Sequence, residues 1–264
     1  MRSSVTLSDL ESRWRGKLAF MEKAADISVV ILCYKAASSI SEFVREMKEL
    51  LETHGLSYEL VLVANYNAHE KNTDQTPMVV KELAERDPHI IVVCKPKEGM
   101  MGWDLNSGLV AATGKTIALI DGDGQMPAED VIRIYTELRS GTYDCAKTYR
   151  VGRFDGWKRK LISKVFNALL KVFFPKIHLH DINSKPKIFT REAYAKLDLK
   201  STDWFADAEM MIQASYLGFR IIEVPTVFHE NKHRRSFIRT TAILEFLKNI
   251  IVYRCTRMHE FRKR

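Results

Sequence analysis

The 264-residue sequence predicts an α/β fold, a mostly parallel sheet with helices packed on both faces. Two observations point to it. Short apolar runs rich in β-branched residues alternate with stretches of helical period. The first run, Ile27–Tyr34 (ISVVILCY), is apolar throughout, the pattern of a strand covered on both sides. A composition of 46% hydrophobic and 28% charged residues is that of an ordinary globular chain and excludes a disordered one.

The elements follow in order. Ser8-x-x-Glu11 opens a first helix as a capping box, with Leu10, Trp14, Leu18 and Met21 on one face. After the strand at 27–34, a helix is predicted over about 38–54 and a second strand over 59–64. Residues 65–76 read as a polar loop, and Pro77 begins a helix reaching Arg86. A third strand at 90–94, a helix at about 102–113, a strand at 116–120, an acidic turn and a helix at about 128–139 complete the alternation. The second half is less regular. A strand at 143–149 precedes a long basic helix at 156–174, closed by Pro175. A short strand at 186–190, a helix near 205–217, a strand at 219–224 and an amphipathic helix at about 238–253 follow. In sheets of this kind ligands gather at the carboxyl ends of the strands.

Charge is distributed unevenly. The net charge is +8, yet residues 147–176 carry nine Lys or Arg against Asp155 alone, and residues 229–264 carry ten against three Glu. The remainder is acidic. Two basic segments on an acidic body suit anionic partners such as phosphates or lipid headgroups, or else form solvated helix faces. Aromatic residues in the basic stretch fall at core-like spacings, so nucleic acid is not an expected partner. No stretch approaches 18 uninterrupted apolar residues. Residues 1–26 lack the apolar core of a secretory signal, and Cys33, Cys94, Cys145 and Cys255 are too dispersed for a disulfide framework or a zinc cluster. The expectation is a cytoplasmic protein with reduced thiols.

Three short motifs fail on context. Gly108-x5-Gly114-Lys115-Thr116 is one residue too long for a P-loop and precedes a strand instead of following one. His229-Glu230-Asn231-Lys232-His233 has the spacing of a zinc-peptidase helix, but it follows a strand and Pro225 and has no apolar face. Asp121-Gly-Asp123-Gly-Gln125 opens like a calcium loop, yet Ile132 stands where the bidentate Glu belongs.

That acidic turn is either a site of chemistry or a glycine-containing turn with incidental Asp residues. Asp121 and Asp123 end the strand TIALI, and an i, i+2 pair in extended chain points to one side. Two hard carboxylates at a strand's carboxyl end suit Mg²⁺ or Mn²⁺ held together with a ligand's phosphates. Arg159, Ser163 and Asn167 are spaced i, i+4, i+8 along the basic helix, with Arg150 and Arg153 just upstream. Guanidinium forks and a hydroxyl on one face suit a phosphate.

The stretch LIDGDGQMPAED resembles the Asp-x-Asp-x-Gln-x-Pro-x-Glu signature of family 2 glycosyltransferases, in the dolichyl/polyprenyl-phosphate sugar synthase group. SVVILCYKAASSI, KEGMMGWDLNSGLVAATGK, RVGRFDGWKRKLISKVFNALL and DWFADAEMMIQASYLGFRIIEVP are similar to further segments of that family, in the family's order, over about residues 27–250. The resemblance implies a GT-A fold, a nucleotide-sugar donor (UDP- or GDP-linked) and a divalent cation, Mg²⁺ or Mn²⁺. It implies metal contacts at Asp121, Asp123 and Gln125, and donor contacts at Cys33, Tyr34, Asn65, Gly102 and Asp121. Arg150, Arg153, Arg159 and Ser163 then meet the phosphate of a polyprenyl-phosphate acceptor at the cytoplasmic membrane face. Asp207 and Glu209 are the catalytic candidates, either as bases or as groups that orient the donor or cap a helix. An already anionic phosphate can attack the sugar without a strong base.

The implied organisation is a helical extension at 1–26, a GT-A domain at 27–236 and a basic amphipathic helix and tail at 237–264, the last suited to an anionic membrane surface. The sequence departs from the family pattern at Leu32, at Lys35-Ala36 and in the turn Ala64-Asn65-Tyr66-Asn67. Two alternatives therefore stand beside the lipid-acceptor reading. One is a transferase with a soluble or polysaccharide acceptor, and the other a non-catalytic membrane-docking protein with a degenerate donor site.

Overall fold

In a computed structural model of the chain, residues 24–37, 39–68, 74–153, 157–229 and 241–258 are described. The helix expected around residues 8–21 lies outside them, as do residues 230–233 of the His229–His233 stretch.

Seven strands form one sheet: β1 (Ile27–Leu32), β2 (Tyr58–Val63), β3 (Ile90–Val93), β4 (Thr116–Asp121), β5 (Cys145–Arg153), β6 (Lys187–Thr190) and β7 (Ile221–Phe228). Their order is β3-β2-β1-β4-β6-β5-β7. All neighbouring pairs are parallel except those of β6, which runs antiparallel to both β4 and β5. The helices are α1 (Ser39–Thr53), α2 (Thr76–Arg86), α3 (Met101–Ala111), α4 (Glu129–Ser140), α5 (Trp157–Phe173), the single turn α6 (Arg191–Tyr194), α7 (Ala206–Tyr216) and α8 (Thr241–Thr256). This is the predicted mostly parallel architecture.

β1 shows why its run is apolar on every residue. Successive side chains of a strand point to opposite faces. Val30 and Leu32 enter one core with Leu105 and Leu109 of α3 and Met210 and Met211 of α7. Ile27, Val29 and Ile31 enter the other, with Phe43, Val44 and Met47 of α1 and Val131 and Ile134 of α4. Each fully buried Leu, Ile or Val contributes about 1.5–3 kcal/mol, so both faces are strongly specified.

Two strands end later than their patterns suggest. β5 runs to Arg153 and β7 to Phe228, paired in parallel with a register shift between Arg150 and Gly152. Pro225 sits inside β7, which lies at the sheet edge, where a missing N–H costs no ladder bond. α8 is built into the core, because Ile250 and Tyr253 are buried with Phe174 and Phe205.

Candidate active site

β1 to β4 all end at one edge of the sheet. At that edge β4 delivers Asp121, and the chain turns through Gly122-Asp123-Gly124. Gly124 has φ +68°, a left-handed conformation that glycine adopts without strain. The N–H of Gln125 donates to Asp123 Oδ1 at 3.2 Å, closing the turn as an Asx motif. The Gln125 amide nitrogen donates to the His229 carbonyl at 3.0 Å, tying the turn to the exit of β7. Asp121 and Asp123 both remain half-buried at this edge.

The antiparallel strand completes the site. Because β6 runs against β4, its first residues arrive at the edge where β4 ends. Leu119 pairs with Lys187, and continuing this antiparallel direction, forward past β4 and backward from β6, leads to Asp121 and Lys185. Lys185 Nζ lies 3.2 Å from Asp121 Oδ1, 3.3 Å from Asp121 Oδ2 and 2.9 Å from Asp207 Oδ2. Lys187, fully buried, donates to Asp207 Oδ1. The Lys185–Pro186 backbone is fixed from β5, where the Thr148 hydroxyl donates to the Lys185 carbonyl at 2.6 Å and the Thr148 N–H to the Pro186 carbonyl at 3.1 Å.

Burial sets the charges of this cluster against one another. It opposes the negative charge of Asp207, but Lys185 and Lys187 outweigh it and hold that carboxyl down at about 2. Burial also opposes the positive charge of Lys185, and Asp121 and Asp207 hold its ammonium above the usual range. Lys187 has Asp207 as its acidic partner and two lysines nearby, so burial lowers it to about 8. Burial, with repulsion from Asp123 and Asp207, raises the Asp121 carboxyl against the pull of Lys185.

Glu209, one turn into α7, is also fully buried. Its Oε2 accepts the N–H groups of Lys200 at 3.0 Å and Ser201 at 2.7 Å. The loop it holds packs on α3, with the Met100 N–H on the Thr202 carbonyl at 2.8 Å and the Gly102 N–H on the Asp203 carbonyl at 3.0 Å. A Cβ on Gly102 would meet the Ser201 carbonyl oxygen at 2.5 Å, so this glycine permits a close backbone approach beneath the loop.

The other sequence-predicted donor residues lie along β1, β2 and their exits. Cys33 is buried, its Sγ 3.2 Å from the Ile31 carbonyl, and burial pushes its thiol well above the ordinary range. The Tyr34 ring carries Lys97 Nζ 4.0 Å from its centroid, and its hydroxyl accepts from Asn67 Nδ2 at 2.9 Å. Asn65 is buried and turned inward: Nδ2 donates to Asp104 and Ser107, each at 2.9 Å, and Oδ1 accepts from the Lys95 N–H at 2.9 Å. The turn after β1 is strained, with Lys35 at φ 53° and Ala37 at φ 47°. Such non-glycine strain costs about 1–2 kcal/mol per residue and clusters near functional sites.

Among the residues expected to meet the acceptor, Arg150 sets Nε 2.6 Å from Asp181 Oδ2 and an Nη 2.9 Å from Asp181 Oδ1. This bidentate pair overrides burial and holds Asp181 at about 2. Asn167 bridges two backbones, donating to the Ser163 carbonyl at 2.9 Å and accepting from the Ile182 N–H at 3.1 Å. Ser163 is half-buried on α5, and the side chains of Arg153 and Arg159 lie outside the described residues.

Lys185 and Lys187 are the site residues that the sequence pattern did not reveal. Lysines in a short strand read as solvated. The available signal was Lys185-x-Lys187, two charges at a strand's period beside an otherwise apolar run, facing an Asp in the apolar helix ADAEMMI.

The model of glycosyl transferase family 2 matches residues 28–198. The chain belongs to this family. It is 29% identical over 214 residues to glycosyltransferase AglD of Haloferax volcanii, a match that covers 76% of this chain and spans about a third (32%) of that protein's length. Among solved structures it is similar to glucosyl-3-phosphoglycerate synthase from Mycobacterium tuberculosis in complex with Mn²⁺, UDP and phosphoglyceric acid. The TM-score is 0.69 at 18% identity, over 97% of this chain and 84% of that one. The same enzyme with Mg²⁺ and UDP gives a TM-score of 0.66 at 17% identity, over 96% and 85% of the two chains. The fold is thus GT-A.

Proposed function

We propose that the chain is a metal-dependent, inverting glycosyltransferase that moves a sugar from a UDP- or GDP-linked donor to polyprenyl phosphate at the cytoplasmic membrane face. The observation that carries this reading is the Asp121–Asp123 pair at the carboxyl edge of the sheet, backed by the buried ammonium of Lys185.

The donor set fits a hard cation. Two half-buried carboxylates two residues apart supply oxygen ligands, and their mutual repulsion with Asp207 is the strain a cation relieves. Asp121, Asp123 and Gln125 would hold Mg²⁺ or Mn²⁺. Among the described residues no group of three or more His, Cys, Asp or Glu is arranged to hold a metal ion, so a donor's phosphates would complete the shell. Such an ion supplies charge neutralisation for a departing diphosphate. The M. tuberculosis structures, which hold Mn²⁺ or Mg²⁺ with UDP, support the same ligands here.

The acceptor's chemistry follows from what Asp207 and Glu209 do. A general base needs a pKa near the working pH and a path to the proton it takes. Asp207 is clamped between two ammoniums at about 2, and Glu209 is buried against backbone N–H groups. Both serve in this reading as positioning residues. Asp207 holds Lys185 and Lys187, and Glu209 holds the loop on α3. A nucleophile that arrives already ionised, as a phosphate oxygen does, needs neither as a base. Arg153, Arg159 and Ser163 would meet that phosphate, with Arg150 shaping the wall through Asp181.

Lipid is favoured as the carrier of the phosphate by one feature. α5 exposes Val165 and Val172 beside Lys164 and Lys171, and α8 exposes Ile251 and Val252 beside Arg254. Apolar residues flanked by basic ones suit an anionic membrane surface, at about 1 kcal/mol per nearby Lys or Arg. Among the described residues no helix is long and apolar enough to cross a membrane. A soluble phosphorylated acceptor is the second reading, favoured by the phosphoglyceric acid bound in the structural neighbour.

The test is transfer of radiolabelled sugar from UDP- and GDP-sugars to polyprenyl phosphate in vesicles, against phosphoglycerate in solution. Label in the organic extract supports the proposal. Label on phosphoglycerate alone establishes the second reading, and no label with any donor contradicts both.

A further inference from the structure

Lys185 is a cation built into the place where a divalent ion is to be held. Its side chain is 5% exposed, and its ammonium lies 3.2 and 3.3 Å from the two oxygens of Asp121. Both oxygens of the first acidic residue are therefore turned toward a positive charge that the protein supplies itself. The position is enforced from three sides. Asp207 holds the ammonium at 2.9 Å, Thr148 fixes the Lys185 backbone, and the antiparallel course of β4 and β6 leads the residue to Asp121. Asp207 does not depend on Lys185 for neutralisation, since Lys187 donates to its other oxygen. The charge of Lys185 is thus directed at Asp121.

An ion that approaches the Asp121–Asp123 turn meets this like charge. With Lys185 in place, both oxygens of Asp121 already face an ammonium, which weakens the attraction that this carboxylate offers a divalent ion. A nucleoside diphosphate brings further negative charge to the same edge, where Lys185 and the metal can share it.

We propose that Lys185 suppresses divalent-ion binding to the nucleotide-free site, so that metal and nucleotide diphosphate load together. This rests on the donor-site reading above. Metal dependence in such a site is set by a residue of β6's approach as much as by the acidic turn itself.

The test is Mn²⁺ binding, read as loss of the free-ion electron paramagnetic resonance signal, with no turnover required. It compares the wild-type protein, Lys185→Gln and Lys185→Arg, each alone and with UDP or GDP, against nucleotide without protein. Gln keeps a hydrogen-bond donor for Asp207, Arg keeps the charge, and circular dichroism confirms the fold of each.

In wild type the free-ion signal should persist without nucleotide and fall, beyond what nucleotide takes up alone, when UDP or GDP is added. This arm stands even if a variant does not fold. Lys185→Gln should bind Mn²⁺ about tenfold or more tightly than wild type without nucleotide, and Lys185→Arg should stay near wild type. Equal nucleotide-free affinity in wild type and Lys185→Gln, with nucleotide-enhanced binding intact, overturns the role of Lys185 alone. Equal tightening in the Gln and Arg variants also overturns it, because charge would then not be the cause. No Mn²⁺ bound by any form under any condition overturns both this inference and the metal-dependent donor site.

Discussion

Replacing Asp207 by Ala should expose the energetics of the buried cluster. Asp207 is the acidic partner that Lys187 contacts, and Lys187 has no solvent exposure. Removing one member of a buried ion pair leaves an uncompensated charge, at a cost of about 3–5 kcal/mol. Lys185 retains Asp121, so the loss falls on Lys187. Part of it has a pH signature. Lys187 sits at about 8 with Asp207 present, below its unfolded value, so the unfolded state binds more protons and stability rises with pH there. Without Asp207 the folded lysine is neutral already at pH 7, whereas wild type loses that proton between pH 7 and 9. The gap between the two proteins should therefore narrow by about 1–2 kcal/mol over that interval. Urea unfolding of both proteins at pH 7 and pH 9 measures this. Adding Lys187→Met to Asp207→Ala should recover 1 kcal/mol or more, because an apolar residue replaces the stranded charge. A loss below about 1 kcal/mol at pH 7, or no recovery in the double variant, would refute the ion-pair account.

Two further outcomes follow from the same structure. The Arg150–Asp181 pair holds the carboxyl at about 2, below its unfolded value, so its contribution is fully present above about pH 4 and is lost as the pH falls toward 2. Arg150→Met should remove about 2–3 kcal/mol at pH 7 and flatten the acid limb of the stability curve, as measured by urea midpoints from pH 2 to 7; an unchanged limb counts against the pair. Ala37→Gly should raise stability by about 0.5–1 kcal/mol, the relief of a left-handed alanine less the added chain entropy of glycine. A lower thermal midpoint would show that the turn is not strained.

The sheet was legible in the sequence where burial made the pattern simple. β1 reads as a doubly covered strand because all six of its residues are buried. β7 was read short because Pro225 signals an end to pairing, a rule that does not bind an edge strand. The single turn α6, capped by the Thr190 hydroxyl, is too short to leave a periodic signal.

The place of the acidic turn at the carboxyl end of β4 was legible because the apolar strand before it is. Its counter-charges were not. Residue spacing says that Lys185 and Lys187 share a face, but only the reversed direction of β6 brings that face to the end of β4. Strand direction is a tertiary property with no local signature. Asn65 and Asn167 show the converse, for the family resemblance set the first, and helical spacing the second, on a ligand-facing position. The fold turns each amide onto backbone or neighbouring side chains within the protein.

The central claim is that the Asp121–Asp123 edge, backed by Lys185, is a metal-dependent donor site. Thermal unfolding of wild type and Asp123→Ala against UDP, GDP, CMP and TDP, each with and without Mn²⁺, tests it most directly. One nucleotide at about 100 times its Kd should add roughly 2.7 kcal/mol of apparent stability to wild type with Mn²⁺ present, and nothing to Asp123→Ala. The absence of a shift with every nucleotide tested, or an equal shift in Asp123→Ala, would contradict the account.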